Sequence, residues 1–120
     1  MTRIRLLCAV LLSFITVNAF GSRLMTLPLD KVEITDGPFL HAQLTNVDYL
    51  LALDPDKLLA PYQREAGLRP VISSYGNWEN TGLDGHIGGH YLTALSLGYA
   101  ASKDPRLLDR LHYMLTKLDK

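Results

Sequence analysis

The chain has 120 residues, of which 48% are hydrophobic, and its twelve basic side chains balance twelve acidic ones. This length fits one small domain behind a targeting segment. Nucleic acid is not expected as a partner, because binding to phosphates requires a strongly basic face.

The first twenty residues have the three-part pattern of a secretory signal. Two arginines lie within the first five residues, an apolar run covers Leu6 to Phe20, and Val17 and Ala19 supply the small residues that signal peptidase prefers. We expect residues 1–20 to be a cleaved signal peptide, which implies a periplasmic or extracellular location. The alternative is a retained anchor, but the run is shorter than the ~20 apolar residues that span a bilayer. No stable membrane anchor is expected after cleavage.

Cleavage would also remove the only cysteine of the chain, Cys8. The remaining ~100 residues would then carry ten basic and twelve acidic side chains, since Arg3 and Arg5 leave with the signal. Neither a disulfide framework nor thiolate chemistry is expected in this part of the chain.

The first half of the mature chain predicts a short strand or an extended lead-in, followed by two helices. Residues 32–35 alternate and are rich in β-branched side chains, and the turn-forming run 36–38 follows them. Apolar residues at helical spacing predict a helix over residues 39–53. A second, shorter helix is expected from Pro55, capped by Asp54, and Pro61 is expected to break or restart it.

The second half predicts a long loop and a helical hairpin. Residues 67–84 contain many Gly, Ser, Asn and Pro residues and show no sustained period, which indicates a long loop that is either functional or disordered. The tryptophan within it, Trp78, argues against disorder. Residues 87–101 are apolar nearly all round and predict a buried helix with closely approaching neighbours. Residues 105–118 carry one clean apolar stripe and predict an amphipathic helix, which Asp104 caps and Pro105 begins. The short connection makes the two helices antiparallel neighbours, as in a double layer of inner and outer helices.

The apolar stripe of the last helix continues almost to Lys120, and no capping glycine or polar tail follows it. We therefore expect this chain to be the amino-terminal part of a larger helical domain. The alternative is a small helical bundle with a frayed end.

The segment 75–91 carries the side chains that could perform chemistry. It combines aromatic rings, carboxylates, amides and two histidines with five glycines. Trp and Tyr rings stack on sugar rings, Asn, Asp and His give directional hydrogen bonds to hydroxyls, and glycine permits close approach of a ligand to the backbone. The candidate substrate-binding residues are Trp78, Glu79, Asp84, His86 and His90.

Several narrower interpretations of these residues remain open. His86 and His90 are four residues apart and could bind a metal on one helix face, but zinc requires three or four ligands and Asp84 is the only close third candidate. Each histidine could instead donate to a backbone carbonyl. Glu79 and Asp84 could form a glycosidase carboxylate pair, and Trp78 could plug the core. The glycines do not form a phosphate-binding pattern, so a nucleotide site is not expected.

Several segments of the chain resemble the β-L-arabinofuranosidase-type glycoside hydrolases. They are Val32-Glu33-Ile34-Thr35-Asp36-Gly37-Pro38-Phe39, then residues 54–62 and 65–68, and most strongly the stretch from Trp78-Glu79 through Gly85-His86-Ile87-Gly88-Gly89-His90-Tyr91-Leu92, followed by residues 94–95 and 99–101. The resemblance covers about residues 29–118 and corresponds to the beginning of the family's catalytic domain.

The resemblance implies an all-α fold made of the first hairpins of an (α/α)6 toroid. It also implies a carbohydrate substrate and a pocket lined by the segment containing His86 and His90. Members of the family use a zinc-held cysteine nucleophile together with glutamates. Because no cysteine remains after residue 20, no catalytic residue, zinc ligand or cofactor is assigned here, and zinc is expected only in the full-length family enzyme.

Two functions of different classes follow. The first is a fragment of an exported glycoside hydrolase that acts on L-arabinofuranosides or related plant-glycan sugars, inactive on its own but contributing part of the substrate pocket. The second is a non-catalytic carbohydrate-binding or helical interaction module. Another helical-toroid carbohydrate enzyme, such as a lyase, is also compatible with the composition.

Overall fold

The computed structural model describes residues 24–119, and this part of the chain is all helical. Helix α1 spans Gly37–Ala52, α2 spans Pro55–Glu65, α3 spans His86–Ser102 and α4 spans Pro105–Leu118. Short 3₁₀ turns occur at Leu29–Lys31 and Asn77–Asn80. The expected signal peptide, residues 1–20, lies outside the described residues.

Proline and aspartate define the starts of three helices. Asp36, Asp54 and Asp104 are the N-cap residues of α1, α2 and α4, and each side chain accepts a hydrogen bond from a backbone N–H at the helix start. Proline occupies one of the first two positions of each helix, where its missing N–H costs nothing. The Asp-Pro starts predicted for α2 and α4 are therefore confirmed.

Side chains from all four helices meet in a single hydrophobic core. Each of the four helices contributes two residues to it: Val47, Leu50, Leu58, Leu59, Tyr91, Leu95, Leu107 and Met114. Burial of each large side chain contributes about 1.5–3 kcal/mol. The core therefore fixes how the four helices pack.

The predicted hairpin of α3 and α4 is present, with only Lys103 and Asp104 between the helices. Lys103 ends α3 in the left-handed conformation, with φ of 58°. The Ser102 hydroxyl donates to the Gly98 carbonyl oxygen at 2.7 Å and accepts from the Asp104 N–H at 3.2 Å. A two-residue connection between packed helices makes them antiparallel.

The carboxyl end of α1 is closed by side chains from the hairpin. The Arg110 guanidinium donates to the carbonyl oxygens of Leu53 at 2.8 Å and Leu51 at 3.3 Å, and the Tyr91 hydroxyl donates to that of Leu50 at 2.8 Å. Arg110 also donates to the Tyr91 oxygen at 3.2 Å. Burial raises the pKa of Tyr91, although the nearby Arg110 charge opposes the rise. These bonds satisfy carbonyl groups that a helix end leaves without partners.

Two local predictions for the first half of the chain are corrected by the structure. Of the two alternatives for residues 32–35, the short strand is wrong, because the described residues offer no neighbouring strand to pair with, and the segment is an exposed lead-in that is extended at Val32. The run 36–38 begins α1 instead of forming a turn, because Asp36 caps the helix there.

The predicted break at Pro61 is also wrong, because α2 continues through this residue to Glu65. Its ring is fully buried. Burial of the ring offsets part of the ~3 kcal/mol that an interior proline costs a helix.

The helix predicted to be buried on all sides, α3, is buried on only one side within residues 24–119. Gly88, Tyr91 and Leu95 are buried, whereas Ile87 and Leu97 are exposed. The apolar stripe of α4 behaves similarly, since Leu107 and Met114 are buried but Leu115 is 48% exposed.

Small residues of α3 permit close packing, as predicted. A Cβ atom added at Gly88 would lie 2.7 Å from Cε2 of Tyr62 and 3.0 Å from the carbonyl oxygen of Leu58, both on α2. At Gly98 it would lie 3.0 Å from Cδ1 of Leu107 on α4. Glycine therefore sets the spacing of α3 from both neighbours.

The Gly88→Ala substitution should destabilise the chain by about 1–3 kcal/mol, because it would overpack the contact with α2. Urea unfolding of the full chain measures this change. Gly89→Ala is the matched control, since its Cβ would meet only the Tyr62 hydroxyl at 3.7 Å. The control should be neutral or more stable by up to about 1 kcal/mol, as alanine favours helix. Equal midpoints for both variants would contradict this packing.

Candidate functional site

The loop between α2 and α3 is fastened to the helical core at several points. The Asp54 N–H donates to the Tyr75 hydroxyl oxygen at 2.9 Å. The Arg64 guanidinium donates to the Ser74 hydroxyl at 3.3 Å, and Ser74 in turn donates to the Glu79 carbonyl oxygen at 3.3 Å. The loop thus has a defined path to the start of α3, as its tryptophan had indicated.

Glu79 is the buried polar residue at the centre of this region, only 2% exposed. It lies in the 3₁₀ turn Asn77–Asn80. Its Oε2 accepts from the Gly85 N–H at 3.1 Å and its Oε1 from the Ile87 N–H at 3.0 Å. Because the N-cap residue Gly85 has no side chain, the Glu79 carboxylate caps α3 from a distance in sequence.

Tyr62 supports the same turn from α2. Its hydroxyl donates to the Gly85 carbonyl oxygen at 2.6 Å. Gly85 has φ of 88°, a conformation that favours glycine, and a Cβ there would lie 3.3 Å from the Tyr62 ring. Burial raises the pKa of Tyr62, and the negative charge of Glu79 raises it further. Tyr62 therefore stays protonated and able to donate.

Asp84 is held by an ion pair rather than left free. Its Oδ2 lies 2.7 Å from the Arg64 guanidinium nitrogen, and its Oδ1 accepts from the Gly82 N–H at 3.3 Å. About a third of each charged side chain is exposed to solvent. This pair connects the end of α2 to Asp84, two residues before the start of α3.

His86 and His90 meet at the first turns of α3. Their Nε2 atoms are 3.1 Å apart, and the two rings are nearly perpendicular with centroids separated by 4.5 Å. Both side chains are exposed. The structure therefore brings the two predicted histidines together and presents them to solvent.

Trp78 lies on the surface, with 62% of its area exposed. It lines an open depression of about 380 Å³ together with Asn77, Thr81 and Leu83. A flat aromatic face beside amide and hydroxyl groups is suited to a sugar ring. The alternative that Trp78 plugs the core is wrong.

The five predicted residues therefore have different structural roles. Glu79 and Asp84 are occupied by backbone N–H groups and by Arg64, so the hypothesis of a free carboxylate pair finds no support here. His86, His90 and Trp78 are exposed and available for contact with a ligand. Sequence reasoning missed Tyr62 and Arg64, whose spacing of 23 and 20 residues from their partners gives no local signal.

The described residues do not form the zinc site that the resemblance implies for the full-length family enzyme, in which zinc holds a cysteine nucleophile. Among residues 24–119, no group of three or more His, Cys, Asp or Glu side chains is placed to hold a metal ion. The only cysteine, Cys8, lies outside that range. No catalytic step through zinc is therefore assigned to this part of the chain.

The described residues form an all-helical protein in which the glycine-rich start of α3 presents the exposed rings of His86 and His90 beside the core. Residues 31–120 match the family model described as the beta-L-arabinofuranosidase, GH127 catalytic domain. The chain therefore belongs to this glycoside hydrolase family, and the resemblance in the sequence is confirmed. A comparison with curated proteins returns no match. Within the described range, no helix is both long and apolar enough to cross a membrane.

Glu79→Gln should lower the free energy of unfolding by about 1–3 kcal/mol, the cost of leaving a buried polar group without its partner. The amide loses the charge and keeps only one oxygen for two N–H donors. Urea unfolding of the full chain measures the loss. Glu65→Gln, at an exposed position at the end of α2, is the matched control and should change stability by less than about 0.5 kcal/mol. Identical unfolding of the two variants would refute the capping role.

Proposed function

We propose that this chain contributes part of the substrate pocket of an exported glycoside hydrolase that acts on L-arabinofuranosides or related plant-glycan sugars. The observation that carries the proposal is the exposed pair of rings of His86 and His90 at the start of α3. The family match supports a carbohydrate substrate. The secretory pattern of the first twenty residues supports export to the periplasm or the extracellular space.

The roles proposed for individual residues follow from their exposure. His86 and His90 hydrogen-bond sugar hydroxyls, because an imidazole presents both a donor and an acceptor nitrogen. Trp78 stacks against a sugar face. Glu79 and Asp84 act indirectly: Glu79 fixes the turn that carries His86, and Asp84 ties that turn to Arg64.

Bond cleavage is not assigned to any described residue. A retaining or inverting glycosidase needs a carboxylic acid free to reach the glycosidic oxygen. Both carboxylates of the loop are instead engaged by Arg64 and by backbone N–H groups. We therefore propose that this chain binds the sugar but does not hydrolyse it alone.

Fluorescence of the single tryptophan, Trp78, provides a direct binding test. Titration of the full chain with methyl β-L-arabinofuranoside should give a saturable change in emission. His86→Ala and His90→Ala should each weaken binding by about five- to tenfold, the equivalent of one hydrogen bond of about 1–1.4 kcal/mol. Far-UV circular dichroism checks that both variants keep their helices.

The matched control is His112→Ala, which removes an exposed histidine from α4. It should leave the affinity unchanged. Wild-type affinity in both His86→Ala and His90→Ala would contradict the proposed pocket. Turnover of an aryl β-L-arabinofuranoside by the chain alone would contradict the assignment of cleavage to other residues.

A further inference from the structure

The two histidines of α3 form a geometry that a sugar pocket does not require. Two side chains four residues apart on a helix lie on one face, which is how helical metal sites present paired imidazoles. Here the two Nε2 atoms already converge to 3.1 Å. Both rings are exposed, so a solvated ion can reach them.

The separation of the two nitrogens corresponds to the bite of a chelate. For an ion at the usual distance of about 2.0–2.1 Å from each Nε2, the Nε2–ion–Nε2 angle would be about 98°. This angle is close to the right angle between neighbouring ligands in tetragonal coordination. The ion would replace the single proton that neutral rings share at this contact, and both rings would then carry their proton on Nδ1.

The backbone that carries the pair is held in place before any ion binds. The Glu79 carboxylate bonds to the N–H groups of Gly85 and Ile87, on either side of His86. Its negative charge also counters the positive end of the α3 dipole, which would otherwise disfavour a cation at this position. Both the geometry and the local charge therefore favour the site.

We propose that His86 and His90 form a bidentate site for a first-row divalent cation of tetragonal preference, Cu²⁺ ahead of Ni²⁺, with water in the remaining positions. Zinc is a poor match, because it prefers four ligands and the described residues offer no third protein ligand. The order of divalent-ion affinities also places Cu²⁺ above Ni²⁺ and Zn²⁺.

Titration of the full chain with Cu²⁺ tests the proposal, in a Cys8→Ser background because a thiol binds and reduces copper. The wild-type pair should bind one equivalent, with nitrogen hyperfine splitting in the electron paramagnetic resonance spectrum. His86→Gln and His90→Gln should each lower the affinity at least tenfold. Ni²⁺ should bind to the same pair more weakly than Cu²⁺.

The double variant His41→Gln/His112→Gln is the matched control, since it removes two histidines from α1 and α4 and leaves the pair intact. It should bind Cu²⁺ as tightly as the wild type. The proposal is overturned if either His86→Gln or His90→Gln keeps the wild-type affinity while circular dichroism shows a folded chain. The sugar titration measures a different ligand from the Cu²⁺ titration. A failure of the cation site therefore leaves the proposed sugar pocket to be judged on its own test, and the reverse also holds.

Discussion

A buried carboxylate at the start of a helix is the interaction on which the candidate site depends. Helix α3 begins at a glycine and has no side chain of its own to cap its first N–H groups. Glu79 supplies that cap from the preceding 3₁₀ turn, through one bond from each of its oxygens. Hydrogen bonds to a charged group contribute about 1.5–3 kcal/mol each, so this contact is large beside the 5–15 kcal/mol of a typical domain.

Other contacts of the region depend on the position of that turn. Tyr62 can donate to the Gly85 carbonyl only because glycine at 85 and 88 lets its ring approach α3. The Arg64–Asp84 pair then fastens the loop from its exposed side. As a result His86 and His90 project to solvent from a fixed helix start, which serves both the proposed sugar contact and the proposed cation site.

The sequence predicted the elements that depend on local chemistry. Asp54-Pro55 and Asp104-Pro105 begin helices because the cap and the first turn lie next to each other in the chain. It did not predict the elements that depend on distant partners. Residues 32–35 form no strand because no second strand lies beside them in the described chain, and α2 continues through Pro61 because the proline ring is buried. For the site, it found Glu79 by composition but could not show that its partners are backbone N–H groups of α3 rather than a sugar.

Hydrogen exchange of individual amides tests the capping role of Glu79 most directly. The N–H groups of Gly85 and Ile87 should exchange slowly, because each donates to the Glu79 carboxylate. In the Glu79→Gln variant at least one of them should exchange much faster, while the Leu95 amide in the middle of α3 should lose no more protection than the fall in the global free energy of unfolding accounts for. Exchange of both amides in the wild-type chain at the rate of exposed loop amides would contradict the account.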